Sequence, residues 1–586
     1  MSIVAFAEGG KSSATPEVLQ DIARRHNITI SSPSDQAAYL TVIQAADATV
    51  ALVDALPDYI SPLLAPVPTV GGEPRQYSQP DKSIDTYNVW SHHTSLKATR
   101  PTSDLLKDVT CVIKDNMTVA GVPYTCGTFP QIASPKDGKY PIPVIDSTIV
   151  KRLLEAGAHI IGTSTCENYS LTPMSYTSAN GPVDNPWLKG YNAGGSSSGS
   201  ACMLGLRRAR ELGVTGLESL GDLTDVAMGG DQAGSIRLPA SYCGVYGLKP
   251  THGLIPYTGI AGLHPMIDYC GPMANNIDDI ARMLTALAGY DGLDPRMTPE
   301  SPLRQNITQY HTELASFTNS NDPTSLGEGL RIGIISESLT SPGTSPDVSR
   351  IVSEAATKHF TASGATVEQV SVPMHLLAPA IWTASTRTHM ATLTAGTRVP
   401  DLLSHTLPHF TPRWPLDQEM FDLMTRANPA VINIIFGEDF LTEKYSSASQ
   451  AKAHRHVFQL REAYNKALEQ YDVLITPTCP TVAPPHPDLR PESQGGSGVM
   501  DKMKIAVGST NNTCPFNASG HPAMSVPCGW ARAAGQEGVA GSFGQEGWLP
   551  VGMQIVGRRW DEMTVLKAAK AFEAGGGGLG KWPGPV

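Results

Sequence analysis

Two serine-containing segments are the parts of this chain with the clearest potential for covalent chemistry. GGSSSGSA occupies residues 194–201 and GDQAGSIRLPA occupies residues 230–240, so serine hydroxyls lie among glycines and other small residues. A serine attacks a carbonyl carbon efficiently only when a base accepts its proton, and small neighbouring residues let backbone N–H groups bind the oxyanion that forms. The two segments therefore indicate a functional site, where backbone N–H groups can reach a reacting atom, and not a structural scaffold.

Lys114 is a candidate for the base. It follows an apolar run, Val109 to Ile113, which predicts a buried strand. Lysine is rarely buried without a partner, and a lysine at a strand end commonly extends to solvent instead. A buried lysine whose pKa falls below the usual value of about 10.4 could accept a proton, so the sequence leaves both interpretations open.

Together with KDN at 114–116, the serine segments resemble the signature of the amidase signature family, whose members are Ser-Ser-Lys amide hydrolases. The resemblance covers roughly 105–570 and looks closest to stand-alone bacterial and fungal amidases of small amides. It implies that Ser235 is the nucleophile, that Ser196 is a proton relay on a cis peptide, and that Lys114 is the base. It also implies a reaction without a metal or an organic cofactor.

Other residues of the second segment have predicted supporting roles. The backbone N–H groups of Gln232, Ala233 and Gly234, with that of the nucleophile, would bind the oxyanion. The family often has glycine where this chain has Ala233, and a side chain there matters only if the residue needs a positive φ. Asp231 and Arg237 would hold the loop through hydrogen bonds.

Ser197, Ser198 and Ser200 are expected to be accessory, with Ser197 bonded to the lysine network. The resemblance would also place Glu167 and Asn168 near the active site, and the alternative is that they only cap the next segment.

Two other catalytic classes are disfavoured. GSSSG at 195–199 matches the nucleophile elbow of α/β-hydrolases, but that motif follows a hydrophobic strand and NPWLKGYNAG precedes it here. His405 and His409 have the spacing of zinc ligands on a helix, but Pro408 lies between them and no glutamate follows the first histidine.

Alternating helical and short apolar segments predict an α/β protein. The resemblance implies a large mixed β-sheet covered by helices on both faces, with a small N-terminal helical appendage. Thr15-Pro16 and Ser32-Pro33 are helix-start signals, and a Pro- and Gly-rich linker follows. We therefore predict a helical region with linker at 1–85 and a catalytic domain at 86–586.

Two stretches fit the family pattern poorly. Residues 207–223 form a charged excursion between the two serine segments, where an insertion costs little. Residues 373–450 hold scattered aromatic and methionine side chains, including Trp382, Met390 and Phe436. In this family such a region shapes the acyl pocket, but aromatic side chains at irregular spacing are more often part of a hydrophobic core.

The amino-acid composition of the chain disfavours some classes of binding partner. A net charge of −11, without a basic run, disfavours nucleic-acid binding. We expect no membrane-spanning helix, reduced thiols for the nine cysteines, and a cytoplasmic location. The expected activity is conversion of a small carboxamide to carboxylate and ammonia by an acylamide amidohydrolase, and a homodimer is the assembly considered. The alternatives are an amidotransferase-type subunit acting in a complex and a hydrolase of bulkier N-acyl amines or anilides.

Overall fold

The computed structural model describes residues 12–580 except 215, 216, 218, 219, 222, 321, 397–406, 408 and 534–546, and it also describes residue 583. The chain forms two compact units, residues 1–63 and residues 64–586. His405 and parts of the 207–223 and 373–450 stretches lie outside the described residues.

The first unit contains two helices, α1 (Pro16–Arg25) and α2 (Pro33–Asp54). Both begin as the sequence predicts. The hydroxyl of Thr15 accepts a hydrogen bond from the N–H of Val18, and the hydroxyl of Ser32 accepts one from Asp35, so each cap satisfies an N–H group that the helix leaves without a partner.

Helix α2 bears on the expectation that the chain has no membrane-spanning helix. Its 22 residues are long and apolar enough to cross a membrane, with a mean hydropathy of 1.2, and only 11% of the qualifying window is buried. The sequence analysis did not single out this segment. Length and composition alone are weak evidence for a membrane span, since core helices and signal sequences share them.

The second unit is built on one mixed sheet. In spatial order its strands are β1, β2, β4, β3, β5, β7, β6, β11, β12, β10, β8 and β9. Their bounds are β1 Tyr77–Ser78, β2 Trp90–Leu96, β3 Thr110–Lys114, β4 His159–Ser164, β5 Val226–Asp231, β6 Tyr246–Lys249, β7 Tyr269–Ala274, β8 Arg331–Ile335, β9 Thr366–Val370, β10 Val473–Pro477, β11 Ala523–Arg532 and β12 Trp548–Val556.

Helices complete this unit, with the following bounds among the described residues: α3 Pro130–Ala133, α4 Thr148–Glu155, α5 Ser198–Glu211, α6 Arg237–Cys243, α7 Ile277–Leu287, α8 Tyr310–Ser320, α9 Ser336–Leu339, α10 Pro346–Ala362, α11 Ala378–Thr386, α12 Met390–Thr394, α13 Gln418–Ala427, α14 Pro429–Lys444, α15 Ser447–Gln470, α16 Val499–Lys504, α17 Cys514–Ser519 and α18 Glu562–Ala574.

Helices cover both faces of the sheet, as predicted. On β3, Cys111 and Ile113 face one hydrophobic cluster, to which α4, α7, α10 and α18 contribute. Val112 faces the other cluster, to which α5 and α6 contribute. Side chains alternate across a strand, and the strand is apolar on both faces, which explains why its sequence reads as a continuous apolar run.

The linker that the sequence predicts to end at residue 85 belongs largely to the second unit. Arg75 forms a buried ion pair with Asp146 at 2.7 Å, and β1 pairs with β2. These contacts tie the chain from residue 64 onwards to the sheet, so the unit boundary lies between residues 63 and 64.

The topology brings the chemistry-bearing residues together. Strands β4, β3 and β5 are adjacent and parallel. Lys114 is the last residue of β3 and Asp231 is the last residue of β5. Because the carboxyl ends of parallel strands meet at one edge of a sheet, the loop that follows β5 lies beside the lysine.

Candidate active site

Lys114 does not extend to solvent. It is 0% exposed, and its Nζ donates a hydrogen bond of 2.7 Å to Oγ of Ser196. Burial lowers the pKa of Lys114 to about 8, although Cys166, Cys126, Asp231 and Glu167 oppose the shift. Of the two interpretations left open by the sequence, the structure shows the buried lysine and not the one that extends to solvent.

The first serine segment lies between a loop and the start of α5. The Gly195–Ser196 peptide bond is cis, and Ser196 is fully buried. Oε1 of Glu167 accepts from the hydroxyl of Ser198 at 2.8 Å, and the N–H of Glu167 donates to the carbonyl of Ser196 at 3.2 Å. The carboxylate therefore fixes the serine segment, in keeping with an active-site position.

Glu167 is itself held by Thr177, whose N–H and hydroxyl both donate to Oε2 at 2.7 Å. Burial raises the pKa of Glu167 to about 7, although these bonds and the one from Ser198 oppose it. Asn168 points elsewhere and donates to the hydroxyl of Thr128 at 3.3 Å.

Ser235 lies in the turn between β5 and α6, two residues before the helix begins at Arg237. It retains 8% exposure, whereas Lys114 and Ser196 are fully buried. A nucleophile must be reached by substrate while its base must stay dry, and the three side chains differ in this way.

The turn offers N–H groups to an oxyanion. Among the described residues, the N–H groups of Gln232, Ala233, Gly234 and Ser235 donate no hydrogen bond. Four neighbouring donors without partners are unusual in a buried loop, because an unpaired buried N–H group is costly. The arrangement can bind a negatively charged oxygen.

Residue 234 has to be a glycine because the side chain of Thr513 lies very close to its backbone. Its φ is +147°, and a Cβ atom there would lie 2.4 Å from Oγ1 of Thr513. That hydroxyl donates to the carbonyl of Ala233 at 2.6 Å and so holds the turn. Ala233 is not among the residues with a positive φ, so its methyl group adds no backbone strain.

Asp231 and Arg237 form a buried ion pair at 2.8 Å. The N–H of Ile236 and Nδ2 of Asn517 also donate to the carboxylate of Asp231, at 3.1 and 2.8 Å. Burial alone would raise the pKa of Asp231, but Arg237 and Asn517 lower it to about 2. The pair thus connects the two ends of the turn, which is its predicted role.

Arg237 makes further contacts that link the turn to distant parts of the chain. It donates to the carbonyl of Thr513 at 2.9 Å, to Oε1 of Gln554 at 2.7 Å and to Oδ1 of Asn517 at 2.7 Å. Sequence analysis did not identify Thr513, Asn517 or Gln554. They lie in segments that resemble the family, but no local spacing connects them to a turn that lies 276 to 317 residues earlier in the chain.

Within the described residues of the 373–450 stretch, a hydrogen bond from Trp382 reaches this turn. Nε1 of Trp382, on α11, donates to the carbonyl of Gln232 at 3.1 Å. Met390, Met420 and Met424 lie instead in a hydrophobic cluster with Tyr124 and Phe410, and Phe436 is 53% exposed. Trp382 is thus placed at the site, while the other side chains follow the core interpretation or face solvent.

Ser197 does not bond the lysine network as the sequence predicts, because its hydroxyl donates to the carbonyl of Gly230 at 3.2 Å. Ser197 also does not directly follow a strand. The preceding strand, β4, ends at Ser164, and α5 begins at Ser198. The nucleophile-elbow interpretation therefore lacks its strand–turn–helix context. Among the described residues, no group of three or more His, Cys, Asp or Glu side chains is arranged to hold a metal ion.

Comparisons of this chain with known proteins agree on one protein family. The sequence model of the Amidase family matches residues 90–566. An enantioselective amidase from Rhodococcus rhodochrous is 33% identical, over 87% of both chains. A glutamyl-tRNA(Gln) amidotransferase subunit from Methanosarcina mazei is 30% identical, over 80% of this chain and 84% of its own length.

Among solved structures, a glutamyl-tRNA(Gln) amidotransferase subunit from Thermotoga maritima superposes with a TM-score of 0.60. It is 23% identical and covers 84% of this chain and 88% of its own, so the two share the fold. The family match includes both serine segments and nearly all of the sheet: the chain belongs to the Amidase family and is an amide hydrolase.

Proposed function

We propose that the protein hydrolyses linear carboxamides to a carboxylate and ammonia through an acyl-Ser235 intermediate. The observation that carries this proposal is the 2.7 Å hydrogen bond between the fully buried Lys114 and Ser196. A lysine with a pKa of about 8 is partly neutral near neutral pH and can act as a general base. The donors of the Gln232–Ser235 turn supply the oxyanion site that amide cleavage needs.

In the acylation half-reaction, Oγ of Ser235 attacks the amide carbon and a C–O bond forms. The proton of Ser235 passes to Ser196, and Ser196 passes its own proton to Lys114. The tetrahedral oxyanion accepts hydrogen bonds from the N–H groups of the turn. Lys114 then returns a proton through Ser196 to the amide nitrogen, the C–N bond breaks, and ammonia leaves.

In the second half-reaction, water attacks the ester carbon of acyl-Ser235. Its proton follows the same route through Ser196 to Lys114. The C–Oγ bond breaks, Ser235 recovers its proton from the relay, and the carboxylic acid loses its remaining proton to water and leaves as the carboxylate. Lys114 alternates between neutral and charged forms, and no step needs a metal or an organic cofactor.

The pH dependence should reveal the base. Only the neutral form of Lys114 accepts a proton, so kcat/KM should rise with pH and level off above a pKa of about 8. At pH 6, two units lower, kcat/KM should be roughly 100-fold below the plateau. Steady-state kinetics from pH 5.5 to 10 would measure this limb, and a pH-independent rate over that range would contradict Lys114 as the base.

Replacing Ser197 by alanine should reduce kcat/KM by only about tenfold, because it removes one hydrogen bond to Gly230, worth roughly 0.5–1.5 kcal/mol. Assay of the Ser197→Ala variant on the best amide would measure the loss. A loss as large as that of Ser235→Ala would instead favour Ser197 as the nucleophile.

Ammonia release from acetamide, propionamide, hexanamide, benzamide and phenylacetamide tests the proposed substrate class. Measurable turnover by the purified chain alone, without ATP, supports an acylamide amidohydrolase. Cleavage of anilides or N-acyl amines, with none of the five hydrolysed, would replace it with the bulkier substrate class. The cytoplasmic location and the homodimer stay predictions, which cell fractionation and light scattering would check.

The likeness to the glutamyl-tRNA(Gln) amidotransferase subunits favours a second candidate, a protein that releases ammonia for use in a complex. That protein would act on amides only with its partners present. Hydrolysis of any of the five simple amides by the isolated chain supports the self-contained hydrolase, whereas glutamine hydrolysis that begins only when partner proteins are added supports the second candidate. The two helices of the first unit are the feature that favours a self-contained hydrolase.

A further inference from the structure

Two buried carboxamides lie next to Lys114 across a glycine. Asn116 is 0% exposed and Gln232 is 2% exposed. A Cβ atom on Gly230 would lie 3.6 Å from each of three nitrogens, namely Nζ of Lys114, Nδ2 of Asn116 and Nε2 of Gln232. Because residue 230 has no side chain, the three nitrogens border one small space.

The hydrogen bonds of the carboxamides are only half complete. Nδ2 of Asn116 donates to the carbonyl of Ala261 at 3.4 Å, and Nε2 of Gln232 donates to the hydroxyl of Tyr257 at 2.7 Å. Within the described part of the chain, Oδ1 of Asn116 and Oε1 of Gln232 are buried and have no partner. Such orphaned acceptors cost stability and call for an explanation.

The orientation of the two carboxamides points to their role. A pair with a purely structural role would turn an oxygen towards Lys114, which has N–H groups to donate. Instead the nitrogen ends, which carry positive partial charge, border the same space as Nζ. This arrangement disfavours the ammonium form of Lys114 and favours the neutral amine.

We propose that Asn116 and Gln232 are positioning residues that keep Lys114 neutral when Ser235 is activated. This inference rests on the proposed function, because it assigns a task to the neighbours of the base. Among the described residues, neither carboxamide forms a hydrogen bond with the side chain of Lys114, Ser196 or Ser235. Their effect passes through the proton affinity of Lys114.

The other ionisable groups around Lys114 act in the opposite direction. Asp231 at the end of β5 and Glu167 after β4 both favour the charged lysine, as do the thiols of Cys126 and Cys166 if ionised. The negative charge of Asp231 is offset by the positive charge of Arg237 in their ion pair. On the lysine's own segment, the carboxylate of Asp115 accepts from Ser91 and Thr125. The two carboxamides next to Lys114 are neutral. Replacing either one by a carboxylate would add a further group that favours the charged form of Lys114.

The test is the pH dependence of Ser235 labelling by a small sulfonyl fluoride, which reports activation of the nucleophile without requiring an amide substrate. Asn116→Asp places a carboxylate beside Lys114 at nearly constant volume. We expect the apparent pKa of labelling to rise by about one to three units. The rate at pH 7 should then fall at least about tenfold, and it should approach the wild-type rate at high pH.

A purely structural defect would lower the labelling rate at every pH and leave the apparent pKa unchanged. Gln232→Glu should shift the pKa in the same direction and serves if Asn116→Asp does not fold. Asn275→Asp is the matched control, because Asn275 also has a buried unpartnered oxygen but lies before α7, where it donates to Leu204. Its apparent pKa should match that of the wild type.

The outcomes separate two failures. If the sulfonyl fluoride does not label Ser235 of the wild type at any pH, the proposed function falls. If Ser235 is labelled, and folded Asn116→Asp or Gln232→Glu keeps the wild-type apparent pKa, the inference about the carboxamides is overturned while the proposed function stands.

Discussion

Ser235→Ala is expected to lower kcat for amide hydrolysis by about 10⁴-fold or more. Without Oγ no acyl-enzyme can form, and loss of the nucleophile in serine hydrolases has effects of this size or larger. The measurement is ammonia release under saturating amide, with mass spectrometry of acyl-enzyme trapped from the wild type. Ser241→Ala, at another buried serine on α6, is the control and should keep most of the activity.

A second replacement would show whether the residues act as a unit. Lys114→Met should cost nearly as much as Ser235→Ala, and the double variant should be little worse than either single variant, because the base has no task once the nucleophile is absent. Additive losses would contradict the relay. Lys249→Met tests whether the loss of any buried lysine is enough to remove the activity. Lys249 is also fully buried, but it donates to the carbonyls of Pro250 and His521.

Arg237→Met is expected to lower the free energy of unfolding by about 3–5 kcal/mol, because it leaves the carboxylate of Asp231 buried without its cation. Urea unfolding at neutral pH would measure the change. Arg331→Met is the control: Arg331 pairs with Asp472 at 2.9 Å, but its side chain is 47% exposed, so the loss should be at most about 1 kcal/mol. Similar losses in the two variants would contradict the role given to the buried pair.

The same pair has a predictable acid dependence. The pKa of Asp231 is about 2 in the folded protein, below the ordinary value of about 3.9. A carboxyl group with a depressed pKa contributes stability above its unfolded pKa, and the contribution is lost as pH falls through the folded value. In the wild type this contribution should therefore disappear between about pH 4 and pH 2.

The resemblance to the amidase signature family predicts Lys114, Ser196 and Ser235 as one group. The structure brings Nζ of Lys114 and Oγ of Ser196 to 2.7 Å, and the catalytic roles of the three residues stay predictions. Helix starts at Thr15 and Ser32 are also predictable, because a cap and the N–H group it satisfies are three residues apart.

Contacts between distant segments could not be predicted. Thr513 and Trp382 hold the Gln232–Ser235 turn, but each is separated from it by more than a hundred residues, and neither lies in a chemically suggestive pattern. The predicted hydrogen-bond partner of Ser197 was also wrong, since the path of β5 decides which atom its hydroxyl meets. The periodicity of apolar residues shows which face of a helix or strand is buried. It does not specify which other element packs against that face.

The network around Arg237 also has a consequence for biosynthesis. Every serine of the two motifs has been translated by residue 235, yet the partners of Arg237 at 513, 517 and 554 emerge much later. A nascent chain therefore contains Ser235 well before these three partners of Arg237 exist. The complete set of contacts around Arg237 can therefore form only after residue 554 has been synthesised.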